Sequence, residues 1–180
     1  MEVAAKHRHL ILVVGHAGTG KDTAASYLAE KYGFKTLSGY EPLKRMCSLA
    51  GLPEDRGTLT VMGHAVSSAF GRDIFVKWCD RRLGRSSVTL KDFRFLNEIR
   101  HYRSKACAIV MLRCSMNVAY ARMVSRGRAG DPNSLSQLRQ VWKDEGELDS
   151  VPKAWTKTID NEGNIHDFYS NLDRLVLNLP

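Results

Sequence analysis

One stretch limits the fold of this chain more than any other. His9–Val14 (HLILVV) is a short apolar run rich in β-branched residues, the pattern of a strand buried in a parallel sheet. It runs straight into Gly15-His16-Ala17-Gly18-Thr19-Gly20-Lys21. Beyond that loop, Ala24, Ala25, Leu28, Ala29 and Tyr32 recur at helical spacing as far as Gly33, a normal stop signal. A strand feeding a glycine loop that feeds a helix fits G-x-x-x-x-G-K. Its glycines let the backbone bend so that several N–H groups face one oxyanion, and the helix presents its positive end at the same point. Lys21 sets an ammonium against the outer phosphates of a triphosphate. The bland alternative is a glycine-rich turn in a Rossmann-like unit.

The rest of the chain keeps alternating. Phe34–Ser38 reads as a second strand, and Glu41–Ala50 as a short helix with Pro42 in its first turn. Thr58–Phe70 and Asp73–Leu83 read as helices parted by Gly71, and Ser86–Leu90 as a β-prone run ending at Lys91-Asp92. Phe95–Lys105 reads as a helix, Ala106–Leu112 as a second clearly buried strand, and Ser115 as the cap of another helix. A polar loop, Arg126–Asn133, precedes the capping box Ser134-Leu135-Ser136-Gln137. Trp155–Ile159 is a candidate last strand. Asn164 caps a final helix whose Ile165, Phe168, Leu172, Leu175 and Val176 share one face. This order predicts an α/β fold with a parallel sheet of about five strands, helices on both faces and a small mobile lid. No Pro- or Ser-rich linker divides the 180 residues, so a single domain over 1–180 is expected.

Composition narrows the function classes. A hydrophobic share of 43% suffices for a core at this length, and no apolar run approaches the ~18 residues of a membrane span. Met1–His9 is too polar for a secretory signal, so a cytoplasmic location is expected. Cys47, Cys79, Cys107 and Cys114 form no C-x-x-C pair and read as reduced, structural thiols. The six histidines are scattered, which speaks against zinc and against a Ser-His-Asp triad. The net charge of +8 comes from 27 basic against 19 acidic residues, and 16 of the 27 are arginine. Such a balance suits phosphate or carboxylate recognition, and equally a nucleic-acid surface.

Further candidates flank the loop. Asp22 stands after Lys21 where Ser or Thr normally holds Mg²⁺, and Thr23 follows. Asp22 could meet the metal, directly or through water, or simply favour the helix N-terminus; Thr23 could donate to an inner phosphate. Asp92, at the tip of the third strand, is the usual place for a second metal partner, with a helix N-cap as the alternative. A kinase also needs cations for an anionic acceptor. Lys44, Arg45 and Arg72 are candidates, with Arg94 beside Asp92 and Glu98 placed to orient Arg94; Ser38 is a further, neutral candidate for binding the acceptor. Arg122 and Arg126 share a helix face with Arg128 just beyond, so the loop at 126–133 could close over phosphates and exclude water, or be a basic surface loop.

Four segments together resemble the bacteriophage-type deoxynucleoside monophosphate kinases. Gly18-Thr19-Gly20-Lys21-Asp22-Thr23 is similar to that family's S-G-K-D-T loop, including its unusual Asp. Glu41-Pro42-Leu43-Lys44-Arg45-Met46 is similar to A-D-P-L-K, and Phe70-Gly71-Arg72-Asp73-Ile74-Phe75-Val76 to F-G-x-D-I-W-V. Asp92-Phe93-Arg94-Phe95-Leu96-Asn97-Glu98 is similar to D-V-R-F-P-N-E. The chain departs from the pattern at Met62-Gly63-His64-Ala65, where the phage enzymes tend to have G-T-E and an Arg, and at Glu41 and Phe75.

The resemblance implies a P-loop nucleoside monophosphate kinase-like fold and transfer of the ATP γ-phosphoryl group, with Mg²⁺, to a (deoxy)nucleoside monophosphate. It puts Lys21 in phosphoryl transfer and Lys44, Asp92, Arg94 and Glu98 around the acceptor, in a region near 40–85 and the third strand tip. A looser likeness to other nucleotide kinases would bring Asn161 and Gly163 near the adenine. Two rivals accompany this reading: a kinase for another phosphorylated acceptor (phosphomevalonate or dephospho-coenzyme A type), and a nucleotide-gated nucleic-acid-binding protein. The second is disfavoured because no basic stripe is interleaved with aromatics. Neither a membrane partner nor a particular oligomeric state is implied.

Overall fold

The computed structural model describes residues 8–180, so most of the polar start Met1–His9 lies outside the described residues. Its centre is a sheet of five parallel strands: β1 (Leu10–Val14), β2 (Lys35–Ser38), β3 (Val88–Lys91), β4 (Ala108–Arg113) and β5 (Lys157–Asp160). Their order is β2-β3-β1-β4-β5. The strand before the glycine loop, β1, is therefore central, with Val13 beside Lys91 of β3 and Val110 of β4. The chain crosses from one side of β1 to the other between β3 and β4. That reversal opens a crevice outside the carboxyl ends of the strands, where ligands of open α/β sheets bind.

Among the described residues, eight α-helices complete the fold: α1 (Lys21–Tyr32), α2 (Glu41–Leu49), α3 (Arg56–Phe70), α4 (Ile74–Asp80), α5 (Leu96–Tyr102), α6 (Met116–Arg126), α7 (Leu135–Asp144) and α8 (Ile165–Leu177). Side chains alternate along β1. Leu10, Leu12 and Val14 face α2 to α5, packing with Leu43, Phe75, Ile99 and Tyr102. Ile11 and Val13 face α1 and α8, packing with Leu28, Phe168 and Leu172. A smaller cluster of Ala17, Ala119, Met123 and Leu138 fixes α6 and α7 against the glycine loop. All four cysteines are free thiols, with Cys47 and Cys79 buried. Among the described residues no helix is long and apolar enough to cross a membrane.

Differences from the sequence reading lie at element ends. The third strand runs Val88–Lys91, because pairing of Lys35 with Val88 and Leu10 with Val88 sets its register. Helix α3 starts two residues early, where the Asp55 carboxylate caps it by accepting the Thr58 N–H at 3.0 Å. The segment after α7 carries a 3₁₀ turn, Gly146–Ser150, which no periodicity announces.

Candidate active site

Helices α3, α6, α7 and α8 begin with a capping side chain, from Asp55, Ser115, Ser134 and Asn164. Helix α1 begins with Gly20 at φ 102° and no side chain caps it, so its first amides stay open toward the cleft. Glycine is required there: a Cβ would lie 2.5 Å from Asn161 Nδ2. At Gly18 a Cβ would lie 2.8 Å from Ala119 Cβ. The Lys21 ammonium folds over the loop, donating to the carbonyls of Gly15 at 2.7 Å and His16 at 3.0 Å. Burial lowers its pKa, against the pull of Glu145 and Asp92. Ala17, Gly18, Gly20, Lys21, Asp22 and Thr23 line a cleft of about 740 Å³. His16 turns away from it. Its ring stacks on Trp142 at 4.8 Å, and its Nε2 meets Asp149 at 3.1 Å.

Asp22 and Asp92 converge on one point, and the ammonium of Lys91 sits there. It lies 2.6 Å from Asp22 Oδ1 and 2.8 Å from Asp92 Oδ2. Ser38 Oγ donates to the same Asp92 oxygen at 2.6 Å, so Ser38 positions Asp92. Asp92 is no helix cap; it holds a left-handed backbone, φ 67°, alone in this among the non-glycine residues described, at some cost in strain. Burial raises both carboxyl pKa values, but Lys91 and the other nearby cations outweigh it and leave both lowered. Among the described residues no group of three or more His, Cys, Asp or Glu could hold a metal by protein ligands alone. Two carboxylates that share a cation position fit Mg²⁺, which keeps waters and takes phosphate oxygens as its other ligands.

The same cleft is lined by a second cationic wall, organised by a carboxylate that the sequence did not announce. Glu145, at the end of α7, is 3% exposed. Its Oε1 lies 3.2 Å from Arg94 and 3.8 Å from Arg56. Its Oε2 accepts the N–H of Ala17 at 2.9 Å and lies 3.4 Å from His16 Nδ1. One carboxylate thus ties the glycine loop to Arg56 and Arg94. Burial pushes its pKa up, yet His16, Arg94, Lys21 and the Ala17 amide together hold it at about 2. Arg94 also stacks over Tyr40 at 4.9 Å, and Arg56 keeps two buried nitrogens without a hydrogen-bond partner. Tyr40, Lys44, Arg56 and Arg94 all line the cleft.

Three expected acceptor residues serve elsewhere. Glu98 does not pair with the Arg94 guanidinium: its Oε2 accepts the backbone N–H of Arg94 at 3.0 Å and of Phe95 at 3.1 Å, capping α5. Burial raises its pKa to about 6 despite those bonds. Arg45 is exposed and pairs with Glu41 one turn earlier on α2. Arg72, also exposed, stacks over Phe95 and lies 3.5 Å from Glu147. Neither Arg45 nor Arg72 lines the cleft.

The three arginines on α6 and just beyond it, Arg122, Arg126 and Arg128, do line it. Arg122 donates to Asn161 Oδ1 at 3.2 Å and keeps one buried nitrogen unpartnered. Arg126 grips Asp131 with two bonds of 2.6 and 2.8 Å, and Arg128 lies 3.7 Å from Asp22. Asn161 is buried and donates to the Thr19 carbonyl at 3.0 Å, bracing the loop from behind. Gly163 is exposed in the turn before α8. Tyr40, Arg56, Lys91 and Glu145 are what the sequence reading missed. Asp55 before Arg56 was a visible capping signal, whereas Glu145 lies 128 residues from its Ala17 partner and gave none.

No family profile matches the chain, and no curated protein does. Solved structures do share the fold. A gluconokinase from Sinorhizobium meliloti 1021 superimposes with a TM-score of 0.57 at 20% identity, covering 96% of each chain. Shikimate kinase from Acinetobacter baumannii, in complex with shikimate, gives 0.59 at 17% identity, covering 94% of this chain and 93% of that one. TT1252 from Thermus thermophilus gives 0.56 at 18% identity, covering 97% and 100%. The fold, a five-stranded parallel sheet covered by helices, is P-loop nucleoside monophosphate kinase-like.

Proposed function

We propose that this chain is a single-domain, ATP-dependent kinase that phosphorylates a nucleoside monophosphate to the diphosphate. One observation carries the reading: two cationic walls line one cleft and are joined through Glu145. Lys21 and the open amides of α1 form the first; Arg56 and Arg94, held by Glu145, form the second. Phosphoryl transfer is supported by the kinases that share the fold. A monophosphate acceptor is supported by paired guanidiniums, whose planar forks suit a dianionic oxygen group, and by the resemblance of the Asp92–Glu98 segment to the phage enzymes.

Each residue then has a task. The α1 amides would hold the donor phosphates, and Lys21 would neutralise charge on the transferred group. Arg56 and Arg94, with Lys44 at the rim, would orient the acceptor, whose attacking oxygen is already anionic and needs no general base. Arg122, Arg126 and Arg128 would close over the phosphates as a lid and exclude water as a rival nucleophile. Asn161, with Gly163 beyond it, would lie on the adenine side. When bound, Mg²⁺ supplies charge neutralisation on the outer phosphates, and Asp22 and Asp92 would hold it. Of the region expected near 40–85, the part that lines the cleft, from Tyr40 to Thr60, would then face the acceptor.

Coupled ATP-consumption assays against all ribo- and deoxynucleoside monophosphates test this reading. One or a few should stimulate turnover. Arg94→Ala should raise that acceptor's KM about tenfold to a hundredfold, the worth of a charged hydrogen bond. Stimulation by phosphomevalonate or dephospho-coenzyme A alone would replace the acceptor. Stimulation by nothing would remove the kinase reading.

A further inference from the structure

Lys91 belongs to neither cationic wall. It is the last residue of β3, locked by its backbone between Val13 of β1 and Ser38 of β2. From there its side chain can emerge only at the carboxyl edge of the sheet, beside the glycine loop. Only 17% of it is exposed, and both its ionic contacts are carboxylates. Asp22 would otherwise face Asp92 as a like charge in a partly buried place, which costs stability unless a cation intervenes. The strained backbone of Asp92 and its bond from Ser38 aim that carboxylate at the ammonium. Counting Lys91, Asp22 and Asp92 alone, the ammonium leaves a net −1 and a divalent ion in its place leaves none; Arg128, 3.7 Å from Asp22, adds a further cation in either case.

We propose that Lys91 is a tethered resident cation in the divalent-metal position, and that a metal ion enters only by displacing it. The naming of the metal position rests on the kinase reading; the competition between ammonium and divalent ion does not. Two cations cannot share a seat between carboxylates that lie 2.6 and 2.8 Å from the present occupant. Without nucleotide, the protein therefore binds divalent ions weakly. Triphosphate oxygens add ligands and charge, so the ion and the nucleotide arrive together. The displaced ammonium stays in the cleft it lines and turns to the phosphate oxygens, a second lysine beside Lys21. Such a device would keep the acidic pair quiet until the donor is present.

The test is direct Mn²⁺ binding to nucleotide-free protein, read by electron paramagnetic resonance of the free ion. Lys91→Met keeps the aliphatic stem and removes the charge; it should bind Mn²⁺ at least about tenfold tighter than wild type. The double variant Lys91→Met with Asp22→Asn should lose that gain. Equal or weaker binding by Lys91→Met overturns the proposal. A second measurement avoids substitution altogether: the Lys91 Cε signal in a ¹³C spectrum of wild-type protein should shift as Mg²⁺ saturates the site. A signal that stays still at saturation overturns the proposal as well. Neither readout needs turnover. A failed acceptor panel with these results intact sinks the kinase reading alone, and the reverse outcome sinks only the role of Lys91.

Discussion

The two edges of the sheet both gather cations, and they hold them differently. At the carboxyl edge, Arg56, Lys91 and Arg94 each meet a buried or half-buried carboxylate, and all of them line one concavity. At the opposite edge, Arg81, Arg82, Arg85, Arg100, Arg103 and Lys105 surround the starts of β3 and β4, every one exposed. There Asp80 takes Lys105 at 2.7 Å and His101 at 2.8 Å. Arg82 lies 3.8 Å over Trp78, and Arg103 lies 4.9 Å over Trp155. A net charge of +8 therefore says little about the ligand. What marks the cleft is cations fixed by carboxylates around a hollow; exposed pairs and stacks on a convex surface are worth little.

That contrast can be broken experimentally. Its sharpest point is Lys21→Ala, which should cut acceptor-stimulated turnover about 10²- to 10³-fold or more, the worth of one preorganised charge at the transferred group. Its far-ultraviolet circular dichroism should match wild type. Turnover within about threefold of wild type would mean the loop is not where the chemistry occurs.

Next comes the Glu145 hub, read through acid stability. Its folded pKa of about 2 lies below the ordinary 4.5, so the stability it adds is fully present above pH 4.5 and is lost as pH falls toward 2. The contribution is up to about 3 kcal/mol at neutral pH. Urea melts across that range should show this loss in wild type and a flatter profile in Glu145→Gln. Parallel profiles for the two proteins would show that the carboxylate does not organise the cleft. The smallest effect is expected at the other edge. Arg82→Ala with Arg103→Ala should leave kcat/KM within about twofold of wild type, as for substitutions far from the chemistry. A larger loss would erase the distinction between the edges.

Local signals carried much of the fold. The runs at His9–Val14 and Ala106–Leu112 are apolar over the length of a strand, and both became central strands flanking the cleft. Ser115, Ser134 and Asn164 each cap the helix they announce, because capping involves only a few neighbouring residues. The candidate site was less legible. Lys44 and Arg94 reach the cleft while Arg45 does not, although Lys44 and Arg45 are adjacent in sequence and equally basic. On a helix the next residue points about 100° away, so spacing brought the segment to the cleft but could not say which cation faces it.

Glu98 shows the same limit from the other side: the sequence put a carboxylate near Arg94, and the helix start claimed it for two backbone amides. By itself the sequence determined the parallel α/β order and the glycine loop, with its uncapped helix and its lysine, since strand pairing pattern, turn chemistry and capping act within a few residues. Only the tertiary structure decided that Glu145 would bind Ala17 and Arg94, and that Lys91 would sit between Asp22 and Asp92. Those contacts join distant segments or depend on how side chains converge at the sheet's edge, and they form because buried charges must find partners wherever the packed chain brings them together.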